Sequence, residues 1–268
     1  MKSVKEQLAE YGLSPNKALG QNFLNDCTAI ERIVSAAAEP GLPVIEIGPG
    51  LGALTRPLAN TGLQLTAIEL DKTLCGILER ELPQNAKTVN SDVLKADLRG
   101  IFEAFRAEEC VVCANLPYYI TSQTVMRLVT ERIPIRRMVL MMQAEAAERF
   151  FAEPSSKNYV PLTVLARLKY EVKTLLELSP ASYYPQPDVN SVVLQFDANG
   201  REVPEGLERL LKCAFQMRRK TLANNLAAMG LPRAEAAELI ERAGLEPSVR
   251  AEALSPEDFL RLCGLLPR

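Results

Sequence analysis

The sequence predicts an α/β fold: a doubly wound, mostly parallel seven-stranded sheet followed by a small all-helical carboxyl-terminal domain. Three observations predict it. Short apolar runs alternate with longer segments of helical period from about residue 26 to 150, the pattern of repeated strand and helix units. A glycine turn, Gly48-Pro49-Gly50-Leu51-Gly52, ends the first of those runs. Beyond Asn199-Gly200 the pattern becomes short helices broken by Gly230, Pro232, Gly244, Pro247 and Pro256, which places a boundary between domains at 1–199 and 200–268.

The elements follow in chain order. Asp26 is placed to cap a helix running to Ala38, and Val44 to Ile47 is the first strand. Leu65 to Glu69 is the second strand, after which Asp71 caps a helix reaching Leu82. Strands at Thr88 to Ser91 and Cys110 to Ala114, a helix at Ser122 to Glu131 and a strand at Met138 to Met142 complete the parallel part. Tyr170 to Leu178 and Val189 to Phe196 are joined by a proline-rich loop with no room for a crossover helix, so they form an antiparallel pair at the sheet edge.

Composition removes whole classes of function. The 268 residues include no histidine, which excludes Ser-His-Asp triads, Cys-His dyads and imidazole proton shuttles. Six cysteines lie scattered, which fits reduced, buried thiols better than a disulfide framework. Cys110 and Cys113 have C-x-x-C spacing, but on a strand they face opposite ways, and no second pair completes a site, so no metal is expected. No apolar stretch reaches the roughly 20 residues needed to cross a bilayer, and Met1 to Tyr11 does not resemble a signal peptide. The expectation is a cytoplasmic monomer without a membrane partner. A net charge of -2 argues mildly against a nucleic-acid partner, yet local basic faces remain: Lys212, Arg218, Arg219 and Lys220 stand without an acid, and Arg127, Arg132, Arg136 and Arg137 enclose only Glu131.

The glycine turn runs from a strand into a helix, and it satisfies the G-x-G-x-x-G/A dinucleotide fingerprint with Glu69 about 20 residues on, in reach of ribose hydroxyls. A nicotinamide cofactor therefore stays open here. Two details tilt the reading to S-adenosylmethionine. Pro49 removes an amide donor that a pyrophosphate would need. Asp92, ending the third strand, can accept from an adenine amine, so that it and Glu69 bracket a nucleoside.

Asn115-Leu116-Pro117-Tyr118 follows the fourth strand, where ligands of an open α/β sheet gather. The exocyclic amine of adenine is a poor nucleophile because its lone pair is delocalised, and attack on a methyl group requires a tetrahedral nitrogen. Acceptors aimed at its two N–H bonds favour that geometry. The Asn115 side-chain oxygen and Leu116 carbonyl supply them, Pro117 stiffens the turn, and Tyr118 stacks on the base.

With these motifs in hand, the chain resembles the ribosomal RNA adenine-N6 dimethyltransferase family, in its small-subunit (16S) branch. The matching segments run from Leu19-Gly20-Gln21-Asn22-Phe23-Leu24 through Glu46 to Gly52, Ile68 to Asp71, Asn115 to Tyr118, Pro185 to Ser191 and Phe215 to Leu226. The resemblance implies a class I, Rossmann-like methyltransferase that dimethylates two adjacent adenosines in a hairpin near the 3′ end of small-subunit RNA within the assembling 30S particle. It also implies that Asn22, Leu24, Gly48, Gly50, Glu69, Asp92 and Asn115 line the S-adenosylmethionine pocket, and that Tyr183 is a second wall for the target base. Arg218, Arg219 and Lys220 resemble the family's RNA-docking surface, on a helix. Departures are Tyr183 for the usual phenylalanine, Asp188 where a basic residue is common, and Val160-Pro161 where glycine is usual. Three other readings stay beside this one: a large-subunit adenine methyltransferase of the macrolide-resistance type, which more often has isoleucine at the position of Leu116; a binding protein that has lost catalysis; and a nicotinamide oxidoreductase.

Overall fold

The computed structural model describes residues 2–228 and 230–266. Its strands are β1 (Phe23–Leu24), β2 (Val44–Ile47), β3 (Leu65–Glu69), β4 (Ala86–Asn90), β5 (Cys110–Asn115), β6 (Ile135–Gln143), β7 (Tyr170–Leu178), β8 (Tyr183–Tyr184) and β9 (Ser191–Ala198). Seven of them form one sheet in the order β4-β3-β2-β5-β6-β9-β7, and β1 pairs with β8 in a separate ribbon. The pairs β4-β3, β3-β2, β2-β5 and β5-β6 are parallel, whereas β9 runs antiparallel to β6. β5 up to Ala114 and most of β6 are buried, as strands covered on both faces must be, and this is why Val111, Val112, Val139 and Leu140 read as unbroken apolar runs.

The chain divides into two compact units. The first is Met1–Ala147 with Val172–Ala198; the second is Glu148–Glu171 with Asn199–Arg268. The sequence pattern predicts a single cut near Gly200, but the chain enters the second unit twice. The helix Pro161–Lys169 is responsible. Six of its nine residues are buried, so it needs apolar partners on most sides.

Within the first unit, Asp26 and Asp71 cap the helices Cys27–Ala37 and Lys72–Glu81, accepting from Ala29 N and from Thr73 and Leu74 N. Strand β2 is the topological switch point: β3 and β4 lie to one side of it, β5 and β6 to the other. A crevice opens beyond the carboxyl ends of strands at such a point. Gly48 follows β2 and Asn115 ends β5 at that edge. Among the described residues, one apolar cluster packs Ile33 and Leu58 against Val111 and Val139 of the sheet, and another joins Val4 and Leu8 to Phe23, Leu51, Leu74 and Ile77. Cysteines 75, 110, 113, 213 and 263 are buried, but Cys27 is exposed, contrary to expectation. It occupies the first turn of its helix.

Within the second unit, Tyr159 is fully buried, donates to Leu254 O at 2.7 Å and packs at 6.1 Å from the Phe215 ring. Val160 has an extended φ of -140°, and Pro161 takes the first helical position, where its missing N–H costs nothing. The backbone there has no need of the family's glycine.

Candidate functional site

A cavity of about 730 Å³ lies in the first unit, at the carboxyl ends of β2, β3 and β5. Every residue expected to hold the cofactor lines it: Asn22, Leu24, Gly48, Gly50, Glu69, Asp92 and Asn115. Leu116, Pro117 and Tyr118 line it too.

The glycine turn is built by close approach. Gly48 has φ +70°, and a Cβ there would stand 3.2 Å from the Asn115 carbonyl oxygen; Gly50 has φ +58°, with the Phe23 ring 3.1 Å from such a Cβ. Side chains rarely adopt such dihedrals, and these spaces are already filled. Gly50 N donates to Glu69 Oε2 at 3.0 Å, and Asp71 N to Oε1 at 2.8 Å. Each carboxylate oxygen keeps a second lone pair for a ribose hydroxyl. Burial raises the Glu69 pKa, opposed by these amide bonds. Arg56 ties the turn down by donating to Leu51 O and to Glu81, with Nε to Oε2 at 3.2 Å.

Asp92 begins a tight turn. Its Oδ1 accepts from Leu94 N at 2.9 Å, and its carbonyl accepts from Lys95 N and Ala96 N. Oδ2 has no partner among the described residues.

Asn115 Nδ2 donates to Asn22 O at 3.1 Å. A carbonyl can only accept, so this bond settles which end of the amide is nitrogen. Asn115 Oδ1 is left on the other side, free to accept. Leu116 N is held by Met141 O at 3.1 Å while its side chain is buried, and Pro117 O accepts from Ile120 N and Thr121 Oγ1. Tyr118 is half-buried, its hydroxyl 2.9 Å from Ser191 Oγ, and burial raises its pKa.

Tyr183 is buried beside the cavity rather than lining it. Pairing of β1 with β8 sets Leu24 opposite Tyr183 and Phe23 opposite Tyr184. Alternation then sends the Tyr183 ring into the core with Leu24 and Ile30, 3% exposed, and Tyr184 toward the cluster of Phe23 and Leu51. Neither tyrosine lines the cavity. Tyr183, expected as a second wall for the target base, is packed among core residues in this structure, its hydroxyl facing Ser191, the partner of Tyr118, and its phenol pushed up by burial.

Three features were not expected. Glu46 lines the cavity at 1% exposure with Oε2 unpartnered, and burial pushes its carboxyl up to about 8. Tyr119 stands 57% exposed at the mouth. Arg127, read as part of a basic face, is instead turned inward onto main-chain carbonyls. Its neighbours are neutralised as well: Arg137 pairs with Asp197 at 2.5 Å and with Glu39 at 3.2 Å, and Arg136 lies 3.9 Å from Glu39. Acids 60 residues or more from these arginines in sequence give no local signal of the pairing.

In the second unit, Arg218, Arg219 and Lys220 lie in a turn between the helices Leu207–Ala214 and Leu222–Ala227, not on a helix. The buried Asn225 enforces the turn, its side chain accepting from Met217 N at 3.0 Å and donating to Met217 O at 3.2 Å. All three are exposed, and Arg218 is tethered to Glu252 at 3.1 Å and to Lys157 O at 3.0 Å.

Similarity to known proteins converges on this geometry. A family model described as ribosomal RNA adenine dimethylase matches residues 12–267. "Ribosomal RNA small subunit methyltransferase A" of Geobacillus thermodenitrificans is 40% identical, covering 98% of this chain and 94% of its own length. The protein of that name from Bacillus pumilus is also 40% identical, over 99% and 96%. Among solved structures, the 23S rRNA methyltransferase ErmE is 27% identical with a TM-score of 0.65, covering 92% of this chain and all of that one. A dimethyladenosine transferase from Plasmodium falciparum shares the fold at 24% identity and a TM-score of 0.70, covering 90% of this chain and 95% of that one.

Proposed function

Because this chain belongs to the ribosomal RNA adenine dimethylase family and is an S-adenosylmethionine-dependent ribosomal RNA adenine dimethyltransferase, we propose that Asn115, Leu116 and Tyr118 present an extruded adenine of small-subunit RNA to the methyl donor. The observation that carries this is the Asn115–Asn22 hydrogen bond, which leaves the Asn115 oxygen as an acceptor at the switch point, beside the glycine turn.

The cavity fits the cofactor. Glycine cradles that a Cβ would fill, the spare lone pairs of Glu69 and the unpartnered Asp92 Oδ2 suit a nucleoside, and its volume is in the range of small-molecule sites. Glu69 holds the ribose, Asp92 the adenine amine, and Asn22 with Leu24 closes the wall near Gly48. Bound there, S-adenosylmethionine supplies an electrophilic methyl group on a sulfonium centre. The protein's part is acceptor placement: Asn115 Oδ1 and Leu116 O take the two N–H bonds of the target amine, so its lone pair leaves conjugation with the ring. Tyr118, anchored through Ser191, offers its face to the base. No histidine is required, and the proton departs to water.

The substrate is two adjacent adenosines in a hairpin near the 3′ end of the small-subunit RNA, reached in the cytoplasm within the assembling 30S particle by a monomeric enzyme. RNA of this kind is recognised by shape and by bases splayed from a loop. The exposed Arg219 and Lys220 grip phosphates. The test uses undermethylated small subunits and labelled S-adenosylmethionine, followed by nucleoside mass analysis. N6,N6-dimethyladenosine in small-subunit RNA is the expected product; label confined to the large subunit would overturn the assignment in favour of the macrolide-resistance type.

A further inference from the structure

Arg127 lies on the helix Thr121–Thr130, which starts two intervening residues after the Asn115 to Tyr118 segment and is anchored to it by the Thr121 Oγ1 to Pro117 O bond. Its guanidinium reaches across to another wall of the cavity. Nη1 donates to Val93 O and Nη2 to Ala96 O, while Nε donates to Glu131 Oε2 at 3.2 Å. Val93 and Ala96 are the buried corners of the turn that Asp92 begins. One planar fork thus fixes two carbonyls three residues apart, a task suited to arginine's rigid donor geometry and poorly matched by a lysine. With side-chain exposure of 23%, Arg127 has little surface to offer a phosphate.

From this geometry we infer that Arg127 is a positioning residue for recognition of the cofactor's base: it holds the 92–97 turn so that Asp92 Oδ2 meets the adenine amine, and it ties that turn to the helix that seats the catalytic segment. This rests on the reading of Asp92 given above. Oδ1 is already occupied by Leu94 N, so the free oxygen's direction is set by the turn alone. Loosening the turn spends the specificity for adenine before it spends the fold.

The test compares binding of S-adenosylhomocysteine and S-inosylhomocysteine by calorimetry. The inosine ligand carries a carbonyl where adenine has the amine, so a carboxylate placed for the amine rejects it. Wild type is expected to favour the adenosine ligand at least tenfold, and Arg127→Gln to lose about tenfold in that affinity, one hydrogen bond's worth, with little change toward the inosine ligand. Arg127→Lys, which can reach one carbonyl, keeps part of the preference and carries the test if the glutamine variant fails to melt cooperatively. A wild-type preference retained in Arg127→Gln would overturn the inference and reduce Arg127 to scaffolding. Equal binding of the two ligands by wild type would instead overturn the Asp92 reading beneath it.

Discussion

The side-chain amide of Asn115 donates to the main-chain carbonyl of Asn22 at 3.1 Å, joining two motifs that lie 93 residues apart in the chain. This bond sets the direction of the Asn115 side-chain oxygen, the acceptor that we propose for the target amine.

Two substitutions separate that role from mere packing. Asn115→Ala removes the acceptor and should lower kcat by roughly 10²–10³-fold, the cost of deleting one preorganised polar contact at a reacting centre, while S-adenosylmethionine binding stays largely intact. Asn115→Asp keeps shape but sets a carboxylate oxygen against the Asn22 carbonyl, so it should not rescue. Single-turnover methylation with a parallel cofactor titration checks both, and near-normal transfer by either variant contradicts the account.

Gly50→Ala should damage the cofactor site from behind. The new methyl meets the Phe23 ring at 3.1 Å on a residue with φ +58°. Left-handed backbone costs a side chain about 1–2 kcal/mol, and relief would shift the amide that now binds Glu69. The expected result is about tenfold weaker cofactor binding by calorimetry with a lower melting temperature. Unchanged binding would show that the turn tolerates a Cβ.

A pH dependence follows from Glu46. Burial raises its carboxyl from 4.5 to about 8, with the nearby Glu69 adding to the shift and Thr55 opposing it. The unfolded chain ionises near 4.5 while the folded chain keeps its proton, so folding loses stability as pH rises between 4.5 and about 8. Glu46→Gln, which needs no proton, should flatten that slope and melt higher near pH 8, on the order of several degrees. Melting curves of both proteins at pH 5, 6.5 and 8 decide it; parallel curves would mean that Glu46 is not held protonated.

Legibility in the sequence tracked how local the determinants are. β2, β3 and β7 carry the bounds read from their apolar runs, and Asp26 and Asp71 cap the helices they were assigned to, because pattern and cap are neighbours in the chain. The orientation of Tyr183 was not legible: it depends on pairing with β1, some 160 residues away, and a shift of one residue would exchange it with Tyr184. The inward turn of Arg127 and the salt bridges of Arg136 and Arg137 depend on distant partners in the same way. The turn at Met217 to Lys220 is dictated by Asn225, an amide that reads as an ordinary helical residue until its two bonds are seen.

That turn yields the last prediction. Arg218 and Arg219 are adjacent and equally charged, but they do different work. Arg218 holds Glu252 and the carbonyls of Ser156 and Lys157, so Arg218→Ala should cost about 1 kcal/mol of stability, discounted for its partial exposure. Arg219 is exposed, so Arg219→Glu should leave melting and cofactor affinity unchanged. If Arg219 contacts a phosphate, the charge reversal weakens binding to the small ribosomal subunit and lowers the dependence of log K on log salt by about one. Salt titrations of both variants separate the roles: a changed salt slope for Arg219→Glu with an unchanged melting curve marks a phosphate contact. An unchanged slope returns Arg219 to an ordinary solvated charge and leaves Lys220 as the remaining cation of the turn to be tested.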